Sequence, residues 1–334
     1  MIKKIILGLA GIVIALALIG FLLPRHVHLQ RSVIIDRPAS MVYATVNSFV
    51  LFPKWSPWQH LDPDMKQTAE GPREGVGAKL VWSGNDKIGT GTQIITASTP
   101  SQSVQSDLTF GDMGTSVSAL KLAAAGSGTA ITWSLDSDMG FGPVGRYFGL
   151  IMDSAVGKDF DSGLKNLKAL VESMPNSDIQ DFRADVVELK AMPLLLVNKT
   201  TGMDTASISK GYADAFAEIG KFMAKHQLKQ AGAPLGVDRQ MSEQSYSFDA
   251  GMPVDRADAI SAAPVQAGVS YAGKALKTTH VGPYDTLQTT YEKFHAYRVA
   301  HGYESNGPTF SWYVDDPGST PAETLRTEIY WPVK

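Results

Sequence analysis

Residues Ile5 to Leu23 are uncharged and almost wholly apolar, and this run constrains the chain more than any other segment. Wound as an α-helix it is about 28 Å long, close to the ~30 Å hydrocarbon core of a bilayer. A cleaved export signal usually has a shorter apolar region with a small-x-small site behind it. Here Phe21-Leu22-Leu23-Pro24-Arg25 ends the run, with nothing small to cut after. An uncleaved single-pass anchor is therefore expected over residues 1–25, making a membrane one partner of the chain. Lys3 and Lys4 precede the run, and Arg25 and Arg31 follow it, so the charge bias is slight. A short basic N-terminus before a first apolar helix favours N-in. The soluble part would then be periplasmic, held at a bacterial inner membrane.

About 300 residues remain, enough for two domains. Net charge is -3, and no basic excess marks nucleic acid as a partner. The chain has no cysteine, which excludes disulfides and thiolate chemistry. An exported chain loses nothing by that.

His28 to Ile35 reads as a strand. Asp36-Arg37-Pro38-Ala39-Ser40 reads as a turn, with Pro38 suited to open a helix over Met41 to Asn47. An aromatic, proline-rich loop follows from Phe52 to Trp58. Val104, Ser106, Leu108 and Phe110 alternate with polar residues, as do Ile131, Trp133 and Leu135, which predicts a half-buried antiparallel sheet. Glycine-rich stretches supply the turns. A long helix, roughly Gly145 to Glu172, carries Phe148, Met152, Val156, Phe160, Leu164, Leu167 and Val171 as one stripe. At about 42 Å it must lie across a whole sheet. A curved sheet gripping such a helix leaves a space for an apolar ligand. Trp55, Trp58, Trp82, Phe110, Trp133, Phe148 and Met152 are the candidates to line it, with ordinary core packing as the competing role.

The segment Arg31-Ser32-Val33-Ile34-Ile35-Asp36-Arg37-Pro38-Ala39, the loop Trp55-Ser56-Pro57-Trp58, and Gly157-Lys158-Asp159-Phe160 in the last helix resemble the START-like, polyketide-cyclase-like superfamily (SRPBCC) over residues 26–172. The resemblance implies a helix-grip fold with a deep apolar cavity. It implies no single reaction, since members include lipid carriers, cyclases and binding proteins.

Residues 173–183 are polar and contain a proline, which suits a linker. Beyond it lies a weak internal repeat. Tyr212, Phe216, Ile219 and Phe222 recur at one constant offset as Leu287, Tyr291, Phe294 and Tyr297, and His226, Leu228 and Gly232 recur as His301, Tyr303 and Gly307. Two strand-helix-strand halves would form a pseudo-symmetric unit with its cleft on the internal axis. Thr279-His280-Val281-Gly282-Pro283-Tyr284, the stretch Gly307 to Tyr313, and Leu325 to Val333 resemble the gyrase-inhibitor-like effector-binding domain of bacterial multidrug-responsive regulators, over residues 184–334. That resemblance implies binding of small, often cationic aromatic molecules between aromatic walls and a buried glutamate. By motif position the acid belongs in Phe310-Ser311-Trp312-Tyr313, where Ser311 stands instead. A serine offers a neutral hydrogen bond, whereas a carboxylate selects a cation. Tyr284, Phe310, Ser311, Trp312, Glu328 and Tyr330 are the candidate ligand residues of this half.

Other motifs carry less. Gly140 to Gly145 matches G-x-G-x-x-G, but Pro143 removes a phosphate-cradling donor and the strands read antiparallel, so these glycines shape the approach to the long helix. His26-Val27-His28 lacks a third ligand at a recognised spacing. His226 and His301 suit the negative ends of their helices. No G-x-S-x-G, H-E-x-x-H or phosphate loop occurs. No catalytic residue, metal or cofactor is expected, and oligomeric state leaves no signal. The expected class is α+β: one transmembrane helix, a helix-grip domain, then a duplicated strand-helix-strand domain. The expected role is a membrane-anchored binder of a hydrophobic or aromatic small molecule or lipid, without catalysis. The alternatives are an enzyme of cyclase, dehydratase or small-molecule hydrolase type, using Glu328, Tyr284 and Trp312, and a protein-interaction scaffold.

Overall fold

The structure, a computed structural model, describes residues 2–111, 114–256 and 261–334. They form two compact units, the first running to Asp181 and the second from Phe182, apart from Ala300–Gly302, which group with the first.

The first unit opens with α1 (Ile2–Leu22), whose apolar side chains are largely exposed. Its span Lys3–Leu22 is long and apolar enough to cross a membrane, a property that export signals share. Among the described residues, seven strands then form one antiparallel sheet: β1 (His26–Ile35), β2 (Lys66–Glu70), β3 (Lys79–Ser83), β4 (Thr90–Thr99), β5 (Ser103–Thr109), β6 (Thr115–Ala125) and β7 (Gly128–Asp138). Their spatial order is β1-β7-β6-β5-β4-β3-β2, so each strand after the first lies beside its sequence neighbour and β1 closes against β7. Period-two burial, as in Val104, Ser106 and Leu108 of β5, shows one face covered. The cover is α2 (Ala39–Val46), α3 (Phe52–Trp55) and α4 (Pro143–Glu172). The expected loop at Phe52 to Trp58 is instead α3 followed by a short 3-10 turn from Pro57. Pro53 and Pro57 each sit at the start of a helical turn, where a missing N–H costs nothing.

Helix α4 is thirty residues long, with Pro143 at its start. Its buried face is Gly157, Phe160, Gly163, Leu164, Leu167 and Val171. Phe160 stacks on Trp133 of β7, with ring centroids 3.9 Å apart. A β-carbon at Gly163 would stand 2.8 Å from that indole, so glycine is what lets the helix settle on it. A β-carbon at Gly157 would stand 2.3 Å from the Arg31 guanidinium, which pairs with Asp153 at 2.9 Å. Asp159 accepts from the Trp58 indole at 3.2 Å. The Gly-Lys-Asp-Phe segment is thus the docking face of α4. At the far end, Arg37 donates to the carbonyls of Glu172 and Met174, filling acceptors that a helix end leaves open. The polar stretch after α4 packs on this unit: the Ser40 hydroxyl donates to Asp178 at 2.7 Å, and Met174 and Ile179 are buried.

The second unit is one eight-stranded antiparallel sheet among the described residues: β8 (Asp185–Leu189), β9 (Pro193–Thr201), β10 (Leu235–Met241), β11 (Tyr246–Pro253), β12 (Gln266–Val269), β13 (Gly273–Val281), β14 (Phe310–Tyr313) and β15 (Arg326–Pro332), in the order β12-β9-β11-β10-β14-β15-β13-β8. Helices α5 (Thr205–His226) and α6 (Leu287–Ala300) follow β9 and β13. The unit is therefore β9-α5-β10-β11 joined to β13-α6-β14-β15. The halves exchange edge strands: β8, which precedes the first half, pairs with β13, and β12, which precedes the second, pairs with β9. They meet where β10 pairs with β14, with Gly236 opposite Ser311. Those two residues are equivalents at the repeat offset, so the internal axis passes between them. Ala215, Ile219 and Phe222 of α5 bury against Leu195, Val197, Phe248 and Ala250. Asp204 caps α5 by accepting from the Ser207 N–H at 2.8 Å.

Phe160→Ala removes the ring that closes α4 onto the sheet. It is expected to destabilise the first unit by about 3–5 kcal/mol, as for large-to-small core changes. Denaturant unfolding followed by tryptophan fluorescence checks this, and a loss under ~1 kcal/mol would mean that the stack is not what closes the fold.

Candidate functional site

In the first unit, Trp55, Trp58 and Trp133 come together at the helix–sheet interface. Trp55 and Trp58 meet Trp133 edge to face at 5.5 and 5.8 Å, and Phe52 meets Trp55 at 4.8 Å. Beside them is a chamber of about 10 Å³, room for roughly one water. Trp55 and Trp133 line it with the polar groups of Ser48, Gln93, Ser106 and Ser118. The Trp133 indole donates to Ser118 at 2.9 Å, while the buried Trp55 indole N–H has no partner among the described residues. Val46, Phe49, Phe52, Val104 and Leu120 complete the lining, so the wall is mostly apolar. Trp82 and Phe110 form a half-buried edge-to-face pair at 5.9 Å and do not line this chamber. Phe148 and Met152 also lie off it, on the early turns of α4, where Phe148 is 62% exposed.

In the second unit, strand alternation separates the expected residues. Ser311 points to the helices and shares a hydrogen bond with the Tyr291 hydroxyl of α6 at 2.5 Å. Phe310 and Trp312 point to the opposite face, where they pack with Tyr330 and Ala275. Phe310 stacks on Tyr330 at 5.1 Å. Glu328 belongs to that second face as well, accepting from Lys277 at 2.7 Å and from the Tyr330 hydroxyl at 2.6 Å. Burial works to raise its carboxyl, but Lys277 and Tyr330 outweigh this and hold it below the usual range.

The helix-side face carries an acid that the sequence reading missed. Asp238 of β10 lies beside Thr309, whose carbonyl accepts from the Asp238 N–H at 2.9 Å. The Tyr246 hydroxyl donates to one carboxyl oxygen and the Thr309 hydroxyl to the other. A β-bulge between Asp238 and Gln240 breaks the register at this point, a common device where a side chain is re-aimed. Around the acid stand tyrosines from both halves. Tyr212 lies within 3.4 Å of the Tyr246 hydroxyl and meets Tyr313 edge to face at 5.6 Å. Tyr284 meets Tyr313 in the same way at 5.7 Å. A β-carbon at Gly236 would stand 2.2 Å from the Tyr212 hydroxyl, so glycine on the axis admits that ring. Burial pushes the Asp238 carboxyl up, and the two hydroxyl donors only partly reverse this. Burial first, and then the negative field of Asp238, pushes Tyr246 and Tyr291 up as well. At the repeat offset Asp238 corresponds to Tyr313. The second-half motif points to Ser311, whereas the acid lies one strand away in the first half.

Residues 184–334 match the family described as GyrI-like small molecule binding domain, and residues 26–172 match the family described as polyketide cyclase / dehydrase and lipid transport. The chain is a polyketide-cyclase-like domain followed by a GyrI-like domain. Solved structures with local similarity include the EcmrR C-terminal domain, 19% identical, covering 46% of this chain and 97% of that one, with TM-score 0.41. A hydrolase from Listeria innocua is 16% identical, covering 46% of this chain and 92% of that one, with TM-score 0.34. SAV2435, solved bound to tetraphenylphosphonium, is 18% identical, covering 46% of this chain and 94% of that one, with TM-score 0.34. No curated protein matches the chain.

The raised carboxyl of Asp238 in the GyrI-like domain has a thermodynamic consequence. The folded state holds this proton more tightly than the unfolded chain does. The group's contribution to stability is therefore fully present below the unfolded pKa and is lost as pH rises through the folded one. Asp238→Asn cannot ionise, so its melting temperature relative to the parent is expected to climb from acid to neutral pH. Thermal melts across that range check this, and a pH-independent difference would contradict it.

Proposed function

We propose that the chain is a membrane-anchored binding protein for hydrophobic or aromatic small molecules, in which the GyrI-like cleft selects aromatic cations through Asp238. The supporting observation is a half-buried acid beside the internal axis, with Tyr212, Tyr246, Tyr291 and Tyr313 around it and Tyr284 against Tyr313. Aromatic faces attract cations by their quadrupoles, and a carboxylate in a poorly solvated site adds charge selection. The acid expected at Ser311 is thus supplied from the neighbouring strand.

Binding without turnover is the favoured mode. Both Asp238 oxygens are held by hydroxyls, and Ser311 is bonded to a tyrosine and not to an imidazole. In the polyketide-cyclase-like domain, the Trp55–Trp133 chamber offers an apolar wall with a free indole donor, which fits a lipid or other apolar molecule that must displace side chains to enter. Retention of α1 would hold both domains on the periplasmic side of a bacterial inner membrane.

Calorimetric titration with tetraphenylphosphonium, and with triphenylphosphine oxide as a neutral counterpart, tests the cleft. Asp238→Asn is expected to weaken the cation by at least about tenfold, ~1.4 kcal/mol, and the neutral compound far less. Equal losses for both would remove charge selection from the reading. Bound cation stabilises the carboxylate, so uptake releases a proton whenever Asp238 is protonated. Cation affinity is therefore expected to fall as pH drops through the raised pKa of this group, and to lose that dependence in Asp238→Asn. Titrations at several pH values decide it.

A further inference from the structure

The early turns of α4 lie against α1 and carry an apolar surface that the polyketide-cyclase-like domain leaves uncovered. Between Asp138 and Asp153 the sequence holds one charged residue, Arg146. Phe141 is 75% exposed, Val144 71%, Phe148 62% and Ile151 54%. Val144, Phe148 and Ile151 are spaced by four and three, so they form one stripe of α4. Further along, the helix turns charged on its outer side, with Asp153, Lys158 and Asp161.

The contact with α1 sets the depth of this stripe. Arg146 donates to the carbonyls of Phe21 and Leu23, at 2.6 and 3.1 Å, and so satisfies the end of α1. The Tyr147 hydroxyl reaches further back, to the Leu16 carbonyl at 2.7 Å. Leu16 lies about 9 Å before the end of α1 along its axis. A β-carbon at Gly20 would stand 2.6 Å from the β-carbon of Pro143, so the two backbones cross closely there, as small residues allow between membrane helices. The start of α4 is therefore level with the last turns of the apolar span, and by Gly149, whose β-carbon would stand 2.7 Å from Val27, the helix has reached β1. Arg25, paired with Asp138 and lying 3.9 Å from the Phe141 ring centroid, stands where the polar boundary would fall.

We propose that the Phe141–Phe148 surface is embedded in the acyl-chain region of the bilayer beside α1, so that α4 runs from lipid into the polyketide-cyclase-like domain. This rests on the reading that α1 remains in a membrane. The occupant is lipid because the patch continues the apolar surface of α1 at the same depth, and because a guanidinium and a tyrosine hydroxyl satisfy the α1 carbonyls next to it.

The chain lacks cysteine, so single cysteines can be spin-labelled without background. Full-length protein with Phe148→Cys, Leu9→Cys or Lys158→Cys would be reconstituted in phosphatidylethanolamine/phosphatidylglycerol vesicles. Collision of each label with oxygen and with a water-soluble nickel chelate would then be measured. Expected are oxygen-dominated collisions at positions 9 and 148 and nickel-dominated collisions at position 158. A lipid signal at position 9 with a nickel signal at position 148 would overturn the embedding and leave the anchor standing. Nickel access at both would overturn the anchor itself. A label at position 148 shielded from both reagents would mean that protein covers the patch, which also overturns the proposal.

Discussion

The face-to-face contact of Phe160 with Trp133 is the interaction around which the first unit is built. It requires glycine at Gly163, because any side chain there would strike the indole. It also places Trp133 within edge contact of Trp55 and Trp58, so α3 and the turn after it are held by the same ring. With α4 seated this way, Arg37 can reach the helix end, and Asp159 can take the Trp58 indole hydrogen.

In the second unit the governing constraint is the axis at Gly236 and Ser311. Two halves of like architecture meet there, yet their side chains differ in a way that suits a site. One half contributes an acid at Asp238, and the other a tyrosine at the equivalent Tyr313. A half-buried carboxyl would be costly alone. Here two hydroxyls engage it, one from Tyr246 and one from Thr309 on either side of β10. The residual cost is visible in the upward pull on its proton affinity, and a bound cation would remove that cost.

Much of this was legible in the residues. The long helix was evident from its three-and-four spacing, but the spacing could not tell which part of the stripe faces the sheet. Phe160 to Val171 do so, while Phe148 continues the same stripe outside the domain, since periodicity reports a face and not what covers it. The repeat at Tyr212 and Leu287 points to the two-half architecture, which the paired sheet halves show. The site was harder. Phe310, Trp312, Glu328 and Tyr330 were grouped with Ser311 by nearness in sequence, but a strand sends neighbours to opposite faces, and these four lie across the sheet from it. Asp238 went unread because its meaning depends on strand pairing between distant segments. The helical turns at Phe52 and Pro57 read as loop in the sequence, since prolines and aromatics close together look irregular unless each proline opens a turn.

The exchanged edge strands, β8 on β13 and β12 on β9, have a consequence for how the second unit is made. During synthesis β8 emerges first but has nowhere to pair until β13 has been translated. The first half, for its part, keeps an open edge on β9 until β12 arrives. Neither half can be completed alone, and the last strand, β15, must still slide between β14 and β13. The whole unit is a late, long-range closure of the kind that folds slowly. A chain built this way stays in an unclosed form through most of its synthesis.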